Sequence, residues 1–230
     1  MPSSKKIACN AMTIDVEDYF HVSAFESHIP RSAWDSLPCR VERNLDVILQ
    51  LLAEHSAHAT FFTLGWIAER YPEAVRRIVA QGHELASHGF AHGRASEQRP
   101  EEFRADVRRA KRLLEDTAGV AVQGYRAPSF SIGRTNLWAL ECLAEEGYRY
   151  SSSIYPIRHD HYGMPVAPRF AHRPAVACVL IEIPVTTLRI MNKTQPAGGG
   201  GYFRLLPYPL SKWSMRRVKR SDGQPCVFYF

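Results

Sequence analysis

Short apolar runs alternate with amphipathic stretches along most of the chain. Apolar positions that recur every three or four residues predict helices, most clearly over residues 41–52, where Val41, Leu45 and Leu49 share one face. Further helices are predicted over residues 66–71, 73–81, 100–117 and 135–146, and strands over residues 7–14, 59–64, 83–87, 122–125 and 150–152. Strands that alternate with helices in this way predict an α/β fold with a parallel sheet, open or closed into a barrel.

Two histidines, His88 and His92, directly follow the third predicted strand. Their spacing predicts that both imidazoles lie on one side of a single helical turn, where they could bind a divalent ion that also needs a carboxylate. A surface turn without a metal is the alternative, because the chain has ten histidines. The pair therefore indicates a metal site only if acidic residues lie at an equivalent place in the fold.

Such residues follow the first predicted strand, where Asp15, Glu17 and Asp18 occur within four positions. Like charges this close raise one another's pKa unless a cation lies nearby. The alternative interpretation of these three acids is a solvated turn without a metal. With a metal present, one carboxylate would complete a site of two histidines and one acid, and another would stay free as a base.

Arg126 follows the fourth predicted strand, two residues before Pro128. An arginine in this position could pair bidentately with a carboxylate while the proline stiffens the turn, and a surface arginine is the alternative. Catalytic groups of β/α barrels meet at the carboxyl ends of the strands. We therefore expect Asp15, His88 and Arg126 to lie at one mouth.

The amino-acid composition limits the classes of protein to which this chain can belong. The 230 residues, 45% of them hydrophobic, suit one globular domain, and the net charge of +6 comes from basic residues that are scattered or lie near the end. We therefore expect no nucleic-acid partner. Five widely spaced cysteines without a CxxC pair favour reduced thiols, and no secretory or membrane-spanning apolar segment is seen, so we expect a cytoplasmic protein with no membrane insertion.

Four motifs in this order, at residues 15–18, 59–62, 87–92 and 125–130, resemble those of polysaccharide deacetylases of the NodB homology type, carbohydrate esterase family four. Residues 152–156 and 199–208 further resemble the branch that accompanies exosortase (PEP-CTERM) exopolysaccharide loci. The resemblance implies a distorted (β/α) barrel. It also implies hydrolysis of N-acetyl groups on amino sugars of a poly- or oligosaccharide, with zinc or a similar divalent metal.

The resemblance also implies roles for individual residues. Asp15 resembles the catalytic base, Arg126 the residue that orients it, and His88 and His92 two metal ligands. The third ligand is either Glu17 or Asp18, and Glu17 is favoured because it lies on the same side of an extended strand as Asp15. A backbone N–H near residues 125–130 would stabilise the oxyanion, and the expected substrate-binding residues are Tyr125, Pro128, Phe130 and Tyr202.

Two departures from the family pattern create expectations of their own. In the resembling branch the apolar run at residues 225–230 leads into a His-Pro-Trp-Glu motif, so we expect a truncated C-terminus with incomplete last strands and no late catalytic histidine. His159, His161 and His172 are weaker substitutes for that histidine. Ser151 stands where relatives carry aspartate, which predicts a looser Arg126.

We expect a single catalytic domain over residues 1–230, with residues 157–225 shaping the substrate site. The four glycines at residues 198–201 would let the backbone approach a sugar beside Tyr202. Alternatives are a truncated, catalytically weak homologue that binds metal and glycan, or a hydrolase of another non-peptide C–N bond such as a cyclic amide. The oligomeric state stays open.

Overall fold

The computed structural model describes residues 9–159, 162–177, 179–191 and 193–230, so His161, Cys178 and the start of the first predicted strand lie outside the described residues. The strands are β1 Ala11–Val16, β2 Thr60–Thr63, β3 Glu84–Ser87, β4 Gly124–Tyr125, β5 Tyr150–Ser151, β6 Ile181–Glu182, β7 Thr187–Ile190, β8 Lys193–Pro196 and β9 Val227–Tyr229. The α-helices are α1 Val41–Glu54, α2 Gly65–Arg70, α3 Pro72–Ala80, α4 Pro100–Ala118, α5 Trp138–Glu145, α6 Gly200–Leu205 and α7 Tyr208–Ser221.

Seven of these strands form one parallel sheet in the order β6-β5-β4-β3-β2-β1-β9. The segment after β6 joins the two edges of this sheet. Thr186 donates its N–H to the carbonyl of Val227 in β9 at 3.1 Å, and its hydroxyl accepts the Val227 N–H at 2.6 Å. The sheet is therefore a distorted (β/α) barrel, which confirms the fold predicted from the sequence.

The register brings the carboxyl ends of the central strands to one rim. Val16, Thr63, Ser87 and Tyr125 follow one another across β1 to β4. The residues at or just beyond these positions therefore point toward one mouth.

Amphipathic helices cover the outside of the sheet. Along α4 the side chains of Phe103, Val107, Ala110 and Leu114 are all buried, as their spacing predicts. The helix begins at Pro100, whose missing N–H costs nothing in a first turn, and it ends at Gly119 with a φ of +70°. Burial of each large apolar side chain stabilises the fold by about 1.5–3 kcal/mol.

The region from 157 to 225 holds elements that the sequence pattern did not predict, namely β6, the antiparallel hairpin of β7 and β8, and α6 and α7. A Cβ at Gly198 would lie 2.3 Å from the carbonyl oxygen of Val227. Gly198 is therefore needed for close packing against β9, and the approach of this glycine run to a sugar stays a prediction.

Two further observations bear on the composition. Among the described cysteines, Cys9, Cys39, Cys142 and Cys226 are free thiols. None of the described helices combines the length and the apolar character that crossing a bilayer requires.

Candidate metal centre and active site

The buried guanidinium of Arg126 and the half-buried carboxylate of Asp15 form an ion pair at the carboxyl ends of β4 and β1. Nη1 of Arg126 donates to Oδ1 of Asp15 at 2.7 Å, while its Nε and Nη2 donate to the carbonyl and hydroxyl oxygens of Ser152 at 3.2 and 3.0 Å. The guanidinium is fully buried and its central carbon lies 4.1 Å from the centre of the Phe62 ring. The expected bidentate pair is therefore wrong, because two of the three nitrogens hold Ser152 instead.

His88 and His92 lie on an irregular turn after β3. The backbone is left-handed at Gly89, with φ of +77°, and at His92, with φ of +53°. A Cβ at Gly89 would also lie 2.9 Å from a carboxylate oxygen of Asp106, so glycine is needed for both reasons. The single helical turn expected from the spacing is wrong, but the two rings still converge, with centroids 5.3 Å apart.

Backbone contacts orient the His88 ring. Its Nδ1 lies 2.8 Å from the carbonyl oxygen of Arg126, which can only accept, so Nδ1 carries the proton and Nε2 presents a lone pair. This Nε2 and that of His92 lie 3.9 and 2.8 Å from Oε2 of Glu17. A metal-binding histidine is held in the same way in known sites, with its other nitrogen on a carbonyl or carboxylate.

The donor set of Glu17, His88 and His92 fits a divalent metal ion. Its three ligand atoms all lie within 4.8 Å of one another, and a tetrahedral site with bonds of about 2.1 Å has edges of about 3.4 Å. Oε2 of Glu17 is buried and has no hydrogen-bond partner with acceptable geometry among the described residues, despite the nearby His92 nitrogen. Two imidazoles and one carboxylate are ligands that zinc accepts.

Asp18, the alternative ligand, turns away from this cluster. Its carboxylate accepts the backbone N–H of Tyr19 at 2.8 Å and contacts both the backbone and the guanidinium of Arg40. These contacts lower the pKa of Asp18 although burial opposes them. Asp18 therefore stabilises the loop that leads into α1, and Glu17 is the acid that the structure brings to His88 and His92.

The charges of the cluster suit a metal. Burial raises the pKa of Glu17, but the His92, His88 and His21 rings lower it further, so the net pKa lies below its ordinary value. Burial lowers the pKa of His88. A carboxylate beside neutral imidazoles is the protonation state that binds a metal ion.

Glu182 supplies a carboxylate that the sequence analysis missed. It lies beside Ser151 in the register of β5 and β6, and its Oε1 accepts the N–H groups of Ser153 at 2.9 Å and Ile154 at 2.7 Å. Because Ser152, in the same turn, binds Arg126, the arginine has hydrogen-bond partners here despite Ser151, and its looseness relative to relatives stays a prediction. Burial raises the pKa of Glu182 to about 7, although these N–H groups and the charge of Arg126 act to lower it.

An aromatic cluster lies beside the ion pair. The Phe130 ring is 4.8 Å from that of Tyr229 and 5.4 Å from that of Tyr155, and Tyr155 stacks on Tyr162 at 6.1 Å. The guanidinium carbon of Arg126 lies 5.5 Å from the Phe130 ring and 5.7 Å from the Tyr229 ring. The sequence analysis named only Phe130, because the tyrosines come from segments far apart in the chain.

The other expected substrate residues differ in their surroundings. Tyr125 is only 1% exposed and packs between the rings of Phe103 and Tyr148, so the expectation that its side chain binds substrate is wrong. Pro128 is buried where it begins the 3-10 helix Pro128–Phe130. Tyr202 is half-buried next to Gly199 and stays a candidate. The N–H groups of Arg126 and Ala127 already donate to Ser87 and Ser153. Neither N–H group is therefore free to stabilise the oxyanion.

The remaining histidines occupy distinct places. His21 is buried against Trp34 and Trp66, and its Nε2 has no hydrogen-bond partner among the described residues. Burial lowers the pKa of His21 to about 4. Of the proposed acid substitutes, His159 stacks on Tyr162 with centroids 3.9 Å apart, and Nδ1 of His172 lies 3.0 Å from the carbonyl oxygen of Phe170.

Sequence comparison gives matches on both sides of residue 151. The polysaccharide deacetylase family model matches residues 32–151, and a model described as a domain of unknown function (DUF3473) matches residues 152–230. A chitooligosaccharide deacetylase of Bradyrhizobium sp. (strain ANU 289) is 32% identical over 155 residues, which cover 66% of this chain and 65% of that protein. A peptidoglycan-N-acetylglucosamine deacetylase of Bacillus cereus is 35% identical over 95 residues, 41% of this chain and 34% of that protein. The chain thus spans about a third to two thirds of the length of these curated relatives.

Solved structures share the fold. A putative polysaccharide deacetylase from Mycobacterium smegmatis superposes with a TM-score of 0.68 at 24% identity, covering 100% of this chain and 78% of that one. A family 4 carbohydrate esterase pseudoenzyme from Bacillus anthracis superposes with a TM-score of 0.52 at 15% identity, covering 96% and 54%. The fold and the residues at its mouth define a NodB-type distorted (β/α) barrel. The chain belongs to the polysaccharide deacetylase family.

Proposed function

We propose that this protein removes N-acetyl groups from amino sugars of a poly- or oligosaccharide, with a divalent metal ion, zinc, at the site of Glu17, His88 and His92. One observation carries the proposal. The three candidate ligands converge at the same mouth as the ion pair of Asp15 and Arg126. A metal site beside an oriented carboxylate is what amide hydrolysis by water requires.

The chain's own residues then have defined tasks. A divalent ion held by Glu17, His88 and His92 would supply electrophilic activation of the amide carbonyl and of water. Asp15 takes a proton from the attacking water at the free oxygen of its carboxylate. Arg126 keeps that carboxylate ionised and oriented, since its Nη1 donates to Oδ1. Asp15 then passes this proton to the amide nitrogen, so the C–N bond breaks with a neutral amine as the leaving group, and acetate and the amino sugar leave.

The wider setting is also a proposal. Relatives named as chitooligosaccharide and peptidoglycan-N-acetylglucosamine deacetylases support an N-acetylated glycan as the substrate. Motif resemblance at residues 152–156 and 199–208 supports a role in exopolysaccharide biosynthesis. Free thiols at the described cysteines agree with the cytoplasmic location that we propose.

The test compares acetate release from N-acetylated chitooligosaccharides by metal-free and zinc-loaded protein. We expect zinc to restore activity, His88→Ala to abolish zinc binding, and Asp15→Asn to keep zinc bound but lose turnover. His55→Ala, which removes an exposed histidine, is the matched control and should change neither property. Equal loss of zinc in the His88 and Asp15 variants would overturn the roles assigned to them.

Two other outcomes would overturn the proposed activity. Zinc binding without acetate release would identify a homologue that binds metal and glycan but does not turn over. Faster hydrolysis of a cyclic amide such as hydantoin than of the oligosaccharide would identify a hydrolase of another C–N bond.

A further inference from the structure

The positive charge of this chain is concentrated in one segment. Residues 200–221, which form α6 and α7 and are called the basic helical segment below, contain six basic residues and no acidic residue. The whole chain has 29 basic and 23 acidic residues, so the rest is balanced at 23 of each. The six basic residues are Arg204, Lys212, Arg216, Arg217, Lys219 and Arg220.

These charges face solvent and are not neutralised by the fold. All six side chains are exposed, and none lies within 4.0 Å of a carboxylate in the part of the chain that the structure describes. Asp222, which follows the segment, pairs with Arg169 at 3.1 Å instead. The segment therefore presents an unneutralised positive surface. On α4, by contrast, Arg104 pairs with Glu145 at the end of α5, and Arg108 pairs with Glu146 just after it.

Large apolar and aromatic side chains are exposed on the same segment. Leu205 is 82% exposed, Tyr208 61% and Trp213 45%. The cations lie close to these rings, because Nζ of Lys212 is 5.8 Å from the Tyr208 ring and the guanidinium carbon of Arg217 is 5.9 Å from the Trp213 ring. A shallow depression of about 500 Å³ lies between exposed side chains of α7, among them Lys212, Trp213 and Arg216.

We propose that the basic helical segment docks this protein onto an anionic lipid bilayer. The charge is complementary to acidic headgroups, and each basic residue near such a surface adds about 1 kcal/mol, a factor of about five in partitioning. Tyr and Trp side chains settle at the level of the headgroups, and exposed leucines gain from the same environment. A soluble polyanion would match the charges but would leave Leu205 as exposed as before.

The position of the segment gives docking a consequence for the site. Gly199, just before α6, bridges to Tyr229 in β9, and the Tyr229 ring lies 5.7 Å from the Arg126 guanidinium. A docked segment would therefore hold the mouth of the barrel near the bilayer surface. The docking proposal itself does not depend on the deacetylase activity.

The test is co-flotation of the full chain with vesicles of phosphatidylcholine alone or mixed with phosphatidylglycerol. We expect binding only to the mixed vesicles, with weaker binding as salt is added. The double variant Arg216→Gln/Arg220→Gln should bind about 30-fold more weakly, since two basic residues are lost. Trp213→Ala should also weaken binding, at unchanged net charge.

A matched control separates the surface from net charge. Arg43→Gln/Arg112→Gln removes two exposed basic residues from α1 and α4, and it should leave flotation unchanged. All variants should keep their circular dichroism spectrum. They should also release acetate from a soluble oligosaccharide as the parent chain does, because none of these residues contacts the site.

Several results would overturn the proposal. They are equal binding to phosphatidylcholine, equal weakening by the control pair, and no effect of Trp213→Ala. If heparin or duplex DNA binds the segment while vesicles do not, the surface serves a soluble polyanion. If the first pair does not fold, Lys212→Gln/Arg217→Gln tests the same face and should weaken flotation to the same extent.

Discussion

The carboxyl group of Glu182 should make the stability of this protein depend on pH. The side chain is fully buried on β6, and burial raises its pKa from the ordinary 4.5 to about 7. In that range the folded state holds a proton that the unfolded state has lost. The free energy of unfolding should therefore decrease as the pH rises from about 4.5 to about 7, by about 3 kcal/mol at 1.36 kcal/mol per pKa unit.

The Glu182→Gln variant removes this contribution with little change in shape. Its amide oxygen can still accept the N–H groups of Ser153 and Ile154, but it carries no titrating proton. The wild type should therefore lose about 3 kcal/mol relative to the variant between about pH 5 and about pH 8. Urea unfolding of both proteins at each pH, without metal, measures this difference because the remaining titrations cancel.

Glu141→Gln is the matched control, since it removes an exposed carboxylate from α5. Its stability relative to the wild type should be the same at both pH values. If the Glu182→Gln variant also shows a constant difference, the carboxyl of Glu182 is not titrating in this range and the reasoning is wrong. A wild type that gains stability relative to the variant as the pH rises would reverse the sign and refute the reasoning as well.

Further predictions concern the site and the core. Arg126→Gln should keep zinc bound, measured by titration calorimetry, but reduce acetate release about 100-fold or more, as loss of an electrostatic group does. Gly89→Ala should destabilise the protein by about 1–3 kcal/mol in urea unfolding, because its φ is +77° and the Cβ would approach Asp106, and Gly201→Ala, with open space, should not. Phe103→Ala should cost about 3–5 kcal/mol in the same assay. A zinc excess of about 100 times Kd should raise the unfolding free energy of the parent chain by about 2.7 kcal/mol, and this gain should be absent in His88→Ala.

The sequence pattern predicted the elements that have regular periodicity. It placed α1, α3 and α4 within a residue or two, because each buries one continuous stripe such as Phe103 to Leu114. The two-residue strand β6 was missed, because its existence depends on pairing with β5 and it carries no periodic pattern of its own. The short β6 therefore became visible only once the neighbouring strand was in place.

The candidate site could likewise be predicted only in part from the sequence. Motifs at strand ends were enough to bring Asp15, His88 and Arg126 to one mouth, since the topology aligns those ends. The distinction between Glu17 and Asp18 needed the position of Arg40, which draws Asp18 away. The irregular turn at residues 88–92 could not be derived from spacing, because left-handed backbone at a histidine has no signature in the sequence.

The site also joins two segments that sequence comparison separates. Arg126 lies in the part matched by the polysaccharide deacetylase model, but two of its three nitrogens bind Ser152, at the start of the other match. The turn that holds Ser152 is in turn held by Glu182. A carboxylate on β6 thus supports the position of the arginine that orients Asp15, although no contact joins Glu182 to Asp15 directly. Because these contacts form one continuous chain, we expect a substitution in β6 to change the position of Arg126, and residues 152–230 belong to the site as much as the motifs at residues 15–18, 87–92 and 125–130.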